Sequence, residues 1–206
     1  AEFLDSVLVR EFDSPQARER RAWRFQRQGK LAESLAELAK VLRREPKRPR
    51  ALVIRAQILL EAGRMPEAAR AARLGLGLVD DADHRALLAI EARALGALGD
   101  DKGLRNVLDT LQGLAGADPV LLTQRYLLEA DIARANRRPG HAFRALSQAF
   151  ELNDDPATLR QMAELADSLG HRNEAARLFD RLCRLGSPDT VGMCAKRDAL
   201  RSPGGP

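Results

Sequence analysis

The feature that most constrains this sequence is a period. Turn glycines stand at Gly29, Gly63, Gly99 and Gly170, with Arg137 in a matching place, at spacings of 34, 36, 38 and 33 residues. Seven residues before each anchor there is an alanine without exception: Ala22, Ala56, Ala92, Ala130 and Ala163. Self-similarity at such a spacing predicts an array of like supersecondary units that bury their apolar faces on one another. A small side chain at a fixed distance before the turn is what two closely approaching helices need, and alanine supplies it without the entropic cost of glycine.

The positions around the anchors give each unit two helices. Eleven residues before the anchors come Arg18, Leu52, Leu88, Tyr126 and Leu159, and four before come Phe25, Leu59, Leu95, Ala133 and Ala166. Five after come Ser34, Ala68, Leu104, Ala142 and Ala175, and twelve after come Val41, Gly75, Leu111, Ala149 and Leu182. Both sets fall at helical spacing, so each half of a unit has its own buried stripe.

In the segments GKLAESLAELAKVLRREP (29–46) and GRMPEAARAARLGLGLV (63–79), a glycine turn leads into a helix rich in small residues, and the first ends at Pro46. This pattern resembles the tetratricopeptide repeat family over residues 15–188. Sel1-like, pentatricopeptide and HEAT units compete on length, and the constant alanine before each turn favours the tetratricopeptide pattern. There are departures. Arg21, Arg55, Glu91 and Glu129 occupy a place where the family usually has leucine, and Asp80 and Gly116 stand where a helix-ending proline is usual. The resemblance implies an all-α fold, a right-handed α-solenoid of about five antiparallel helix pairs over 15–48, 49–84, 85–122, 123–155 and 156–188. Residues 1–14 are expected to form an N-terminal capping helix, residues 189–201 a C-terminal one, and 202–206 a disordered tail. Atypical end helices of this kind cover the apolar edges of a solenoid.

Composition agrees with the all-helical expectation, since aromatics make up only 4% of 206 residues while good helix formers dominate. The formal net charge of +5 raises nucleic acid or an acidic surface as a partner. The excess lies in residues 1–50, with 13 Lys or Arg against 8 Asp or Glu. Within it, Arg18, Arg20, Arg21, Arg24, Arg27 and Lys30, followed by Arg43, Arg44, Lys47, Arg48 and Arg50, offer phosphate contacts. Stacking aromatics are sparse, with Trp23 and Phe25 alone nearby and Phe25 expected in the core. No stretch reaches the roughly 18 apolar residues of a membrane span, and no basic-then-apolar signal segment opens the chain.

An enzyme needs a cluster of chemically competent groups, and none is visible. His84, His141 and His171 lie in or beside expected turns without a ligand-spaced partner, and no HExxH, GxSxG, Walker or dinucleotide fingerprint occurs. No metal and no cofactor is expected. Cys183 and Cys194 fall on the last second helix and on the C-terminal cap; two buried free thiols are expected, and a disulfide, the alternative, would point to an oxidising compartment.

The resemblance places the partner-binding surface on the first helix of each pair, at residues nine, ten and six before the anchor. The candidate surface here takes Val53, Ile54, Gln57 and Leu60 in the second repeat, Ala89, Ile90 and Arg93 in the third, Leu127, Leu128, Asp131 and Arg134 in the fourth, and Glu164 in the fifth. Val53, Ile54, Leu60, Ala89, Ile90, Leu127 and Leu128 would form an apolar strip, with Arg93, Asp131, Arg134 and Glu164 selecting partners by charge. Trp23 and Gln57 stand where the chaperone adaptors of this family use asparagine to hold a C-terminal carboxylate, which argues against that partner class. The expected function is a non-catalytic scaffold that binds a peptide or helix of a partner protein. The alternatives are a bacterial cell-envelope assembly factor serving pili, secretion or polysaccharide export, and nucleic-acid binding through the basic first repeat. The compartment stays open between the envelope and the cytoplasm.

Overall fold

A computed structural model describes residues 13–79, 81–185 and 190–201. Eleven helices occupy these residues: α1 Pro15–Arg27, α2 Leu31–Arg44, α3 Pro49–Glu61, α4 Met65–Leu76, α5 Asp81–Leu98, α6 Asp101–Ala115, α7 Pro119–Ala135, α8 Pro139–Leu152, α9 Pro156–Ser168, α10 Arg172–Arg184 and α11 Thr190–Arg201. The fold is all-α, of the solenoid class built from helix pairs.

Local chemistry sets the helix starts. Proline opens α1, α3, α7, α8 and α9, where its missing N–H and fixed φ cost nothing. Ser14, Asp118 and Asp155 accept backbone N–H groups of the first turns of α1, α7 and α9 through their side chains.

The periodic anchors end the first helices, and all five do so in the same way. Gly29, Gly63, Gly99 and Gly170 take φ of 72°, 72°, 73° and 73°, and Arg137 takes 55°. After each anchor the next residue returns its N–H to the carbonyl five residues earlier: Lys30 to Phe25, Arg64 to Leu59, Asp100 to Leu95, Arg138 to Ala133 and His171 to Ala166, at 2.8–3.0 Å. This bond is the signature of a left-handed C-terminal turn, and it explains why glycine recurs there. Arg137 holds the conformation without glycine, at a cost of about 1 kcal/mol.

The chain folds as two compact units, divided between Val107 and Leu108. In the first, α1 packs on α2, α3 on α4, and α5 on both α3 and α4. One core cluster gathers Ala22, Leu38, Val41, Ala51 and Ile58 from α1, α2 and α3. A second gathers Ala56, Leu59, Leu87, Ile90 and Ala94 with the alanines of α4. Ser34 stands where the later repeats have alanine or leucine, and its hydroxyl is satisfied by donating to the Ala22 carbonyl at 2.6 Å. In the second unit α7 packs on α8, α8 on α9, α9 on α10 and α10 on α11. Its cores join Ala130, Ala145, Leu146 and Met162, and Leu159, Ala163, Ala166, Ala175, Phe179, Leu182 and Met193.

All five alanines seven residues before the anchors are fully buried. A larger side chain at any of these enclosed positions is expected to overpack the core.

At the C-terminal end α11 lies against α10, with Met193 inserted beside Phe179 and Leu182. Arg197 and Arg201 reach Asp180 on α10 at 3.3 and 3.6 Å. Cys183 and Cys194 join the two helices in a disulfide with their Cα atoms 5.5 Å apart. The expectation of two free thiols is therefore corrected: the hairpin brings α10 and α11 close enough for the bond. Of the N-terminal capping helix expected over residues 1–14, residues 1–12 lie outside the described residues, as does the expected tail over 202–206; Asp13 and Ser14 are non-helical and lead into α1.

Candidate functional site

In the first unit α1 packs against α2 and α3 against α4, which leaves the side of each first helix away from its second helix for a partner. In the first unit α1, α3 and α5 succeed one another in contact. A bridge at Glu61 fixes the first two: its carboxylate accepts from Gln26 of α1 at 2.8 Å and from Gln57 of α3 at 2.9 Å.

On this face Trp23 is 53% exposed, the most exposed aromatic side chain among the described residues, and Arg27 stacks over its ring at 5.0 Å. Arg20 and Arg24 are exposed beside it. On α3, Val53, Ile54, Gln57 and Leu60 are half-buried: Val53 and Leu60 rest against one core cluster and Ile54 against the other. On α5, Ala89 is half-buried and Arg93 exposed, whereas Ile90 is only 5% exposed. Ile90 sits inside the cluster with Ala56, Leu87 and Ala94, so a partner cannot reach it. Trp23 was not among the residues proposed from sequence as groove-lining; its place six before the anchor, shared with Gln57, Arg93, Asp131 and Glu164, is the signal that finds it.

In the second unit Leu127 is half-buried against its core and Leu128 is 8% exposed. Leu128 is thus a core residue, like Ile90. Asp131 and Arg134 are exposed but pair with each other at 2.5 Å, and Glu164 pairs with Arg160 at 3.0 Å. Their charges are largely spent on α7 and α9 themselves, one turn apart.

The basic first repeat is also partly neutralised from within. Arg18 and Arg44 bind Asp13; Arg18, Arg21 and Lys40 converge on Glu37; Arg48 binds Glu19 and Glu45. Burial alone would raise the Glu37 carboxyl, but the Lys40 hydrogen bond and the charges of Arg21 and Arg18 outweigh it and hold the group below its ordinary value. Glu19 is 3% exposed and Glu91, paired with Arg73, is 4% exposed. The buried carboxylates Glu19, Glu37 and Glu91 are thus each met by a guanidinium. Arg20, Arg24, Arg27 and Arg93 make no such pair among the described residues.

Among the described residues no group of three or more His, Cys, Asp and Glu is placed to hold a metal ion, and no helix is long and apolar enough to cross a membrane. His141 and His171 are exposed.

Comparison with known proteins agrees with this architecture. The model of the tetratricopeptide repeat family matches residues 19–83. No curated protein matches the sequence. Among solved structures, a tetratricopeptide repeat protein from Parabacteroides merdae ATCC 43184 is 20% identical over 90% of this chain and 72% of its own, with a TM-score of 0.61. MamA from Desulfovibrio magneticus RS-1, residues 41 to the end, is 19% identical over 83% of this chain and 94% of its own, with a TM-score of 0.62. YrrB, a TPR protein with an unusual peptide-binding site, is 13% identical over 94% of this chain and 97% of its own, with a TM-score of 0.56. At these identities the likeness is one of fold.

Proposed function

We propose that this tetratricopeptide repeat protein is a non-catalytic scaffold that holds a peptide or helix of a partner protein on its first-helix faces. The observation that carries the reading is the surface of α1, α3 and α5. There α1 carries an exposed indole, Trp23, and α3 and α5 carry side chains that the core leaves half-open, Val53, Ile54, Gln57, Leu60 and Ala89. Arg20, Arg24, Arg27 and Arg93 are exposed on α1 and α5 and make no ion pair among the described residues. An exposed tryptophan with apolar neighbours and a charged rim is the usual make-up of a binding hot spot. Leu127, with the paired Asp131, Arg134 and Glu164, is the corresponding surface of the second unit. YrrB supports the reading in one respect: the same fold can carry a peptide-binding site.

The alternative of a cell-envelope assembly factor gains support from the disulfide between Cys183 and Cys194, since such bonds persist in oxidising compartments. The nucleic-acid reading loses ground, because five of the basic side chains of the first repeat are already held by carboxylates.

The test is capture of partners from the source cell by wild-type bait and by Trp23→Ala/Arg93→Glu. Both side chains are exposed, so the melting temperature should stay within the effect of about 0.5 kcal/mol usual for surface changes. Capture should fall by about tenfold or more. Undiminished capture by a folded variant would move the site off this face. Loss of capture only with Arg20, Arg24 and Arg27 all changed to Glu, together with removal by nuclease, would favour nucleic acid.

A further inference from the structure

A second surface of the first unit lies between α2 and α4. A cleft of about 380 Å³ opens there, floored by Leu35, Ala39 and Leu42 of α2 and by Leu59 of α3, with Arg43 and Arg55 at its rim. Residues 35, 39 and 42 form a stripe at i, i+4 and i+7, next to the stripe of Ser34, Leu38 and Val41 that α2 buries. Leu35 packs against both core clusters of the unit, so the floor is held in place. Ala39 is exposed and Leu42 half-buried, which leaves an apolar surface open to solvent in a concavity of ligand-pocket size.

The charges around it do not cancel. Arg64 and Glu67 also line the cleft and satisfy each other through two hydrogen bonds of 2.8 and 2.6 Å. The Glu67 carboxyl is held below its ordinary value, first by the hydrogen bond from Arg64 and in smaller part by the charges of Arg64, Arg70 and Arg55. Neither Arg43 nor Arg55 makes a hydrogen bond or ion pair of its own among the described residues. Three guanidinium groups therefore face one carboxylate, beside an apolar floor.

We propose that this cleft is a second docking site, which takes an acidic segment of a partner protein. One aliphatic or aromatic side chain of the segment seats on Leu35, Ala39 and Leu42, above the buried Leu59, and flanking carboxylates meet Arg43 and Arg55. Two properties of arginine favour that chemistry: its planar fork matches a carboxylate with two parallel hydrogen bonds, and it sheds water more readily than an ammonium does. A basic segment would be excluded by the same surplus of positive charge. The site shares no residue with the first-helix face and stands whether or not that face binds anything.

The experiment is selection of a displayed library of random twelve-residue peptides on the wild-type protein. Recovered peptides are then tested against Ala39→Trp, which fills the cleft from an exposed position, and against Arg43→Gln/Arg55→Gln. Circular dichroism checks the folding of both variants. Peptides lost on Ala39→Trp should carry one large apolar residue with at least two Asp or Glu beside it. A fluorescein-labelled synthetic copy should bind the double variant about tenfold more weakly and lose affinity as salt is raised. Peptides that use the first-helix face instead are lost on Trp23→Ala and kept by both cleft variants, so the two proposals fail separately. The cleft proposal is overturned if no recovered peptide depends on the cleft, if the dependent ones show no acidic bias, or if the double variant binds them as well as wild type. It is overturned equally if the only ligand sensitive to the arginine changes is a labelled single-stranded oligonucleotide.

Discussion

Gly75→Ala sets two opposing effects against each other at one position. Gly75 is the next-to-last residue of α4, and alanine in place of a helical glycine stabilises by at most about 1 kcal/mol, less so near an end. A Cβ at this position, however, would stand 2.6 Å from Leu87 Cδ1 and 3.6 Å from Leu52 Cβ. Carbon contacts are optimal at roughly 3.5–4.0 Å, so the Leu87 methyl must move by about 1 Å. Leu87 is fully buried within the cluster formed by α3, α4 and α5, and has nowhere open to go. Overpacking of this kind costs about 1–3 kcal/mol, which exceeds the helical gain and leaves a net loss of about 1 kcal/mol. Gly113→Ala is the control: Gly113 lies inside α6 with nothing within 4 Å of an added Cβ, so only the helical gain of about 0.5–1 kcal/mol remains. Urea unfolding followed by far-ultraviolet circular dichroism should move the two midpoints in opposite directions. Equal stabilisation by both substitutions would refute the close packing of α4 on α5.

Ala92→Leu should cost about 1–3 kcal/mol, seen as a lowered melting temperature, because Ala92 is fully buried at a helix contact. Titration of the denatured, unreduced protein should find no free thiol. Cys194→Ser should destabilise the α10–α11 end by about 2–3 kcal/mol, as opening a loop of 11 residues implies, and hydrogen exchange should localise the effect to α11. Asp155 caps α9 through the backbone N–H and hydroxyl of Thr158; burial alone would raise its carboxyl, but these bonds hold it below the ordinary 3.8. A depressed folded value gives stability above the unfolded value and removes it as the pH falls, so Asp155→Ala should cost about 1 kcal/mol at neutral pH. In acid titrations that difference should shrink below pH 3.8. Arg137→Gly should raise stability by up to about 1 kcal/mol, by relieving the one non-glycine residue at positive φ among the described residues.

The parts of this fold that were legible in the sequence are those fixed by local, repeated chemistry. Left-handed turns demand glycine and close helix approaches demand alanine, so the anchors and the residues seven before them announced every first helix from α1 to α9. The face of the candidate site was less legible. Ile54 and Ile90 hold the same register position, yet one is half-open and the other enclosed, since the difference depends on which side chains the neighbouring pair brings and not on the helix that carries them. Leu128 follows Ile90 for the same reason. The state of Cys183 and Cys194 rested on the separation of α10 and α11, a tertiary distance with no local signature. The burial of Glu19 and Glu91 depends on Arg48 and Arg73 arriving from other segments. The cleft at Arg43 and Arg55 needed both α2 and α3 in place before its floor existed.

The central claim, that the first-helix face is where a partner is held, is tested most directly by replacing Trp23 with a photoreactive phenylalanine and irradiating the protein in the source cell. The replacement keeps an aromatic side chain at the exposed position, so the surface is altered little. A covalent adduct with a discrete partner protein, absent when the same residue replaces Gln148 on the exposed side of α8, is the expected result. Adduct formation at Gln148 with none at Trp23 would contradict the account.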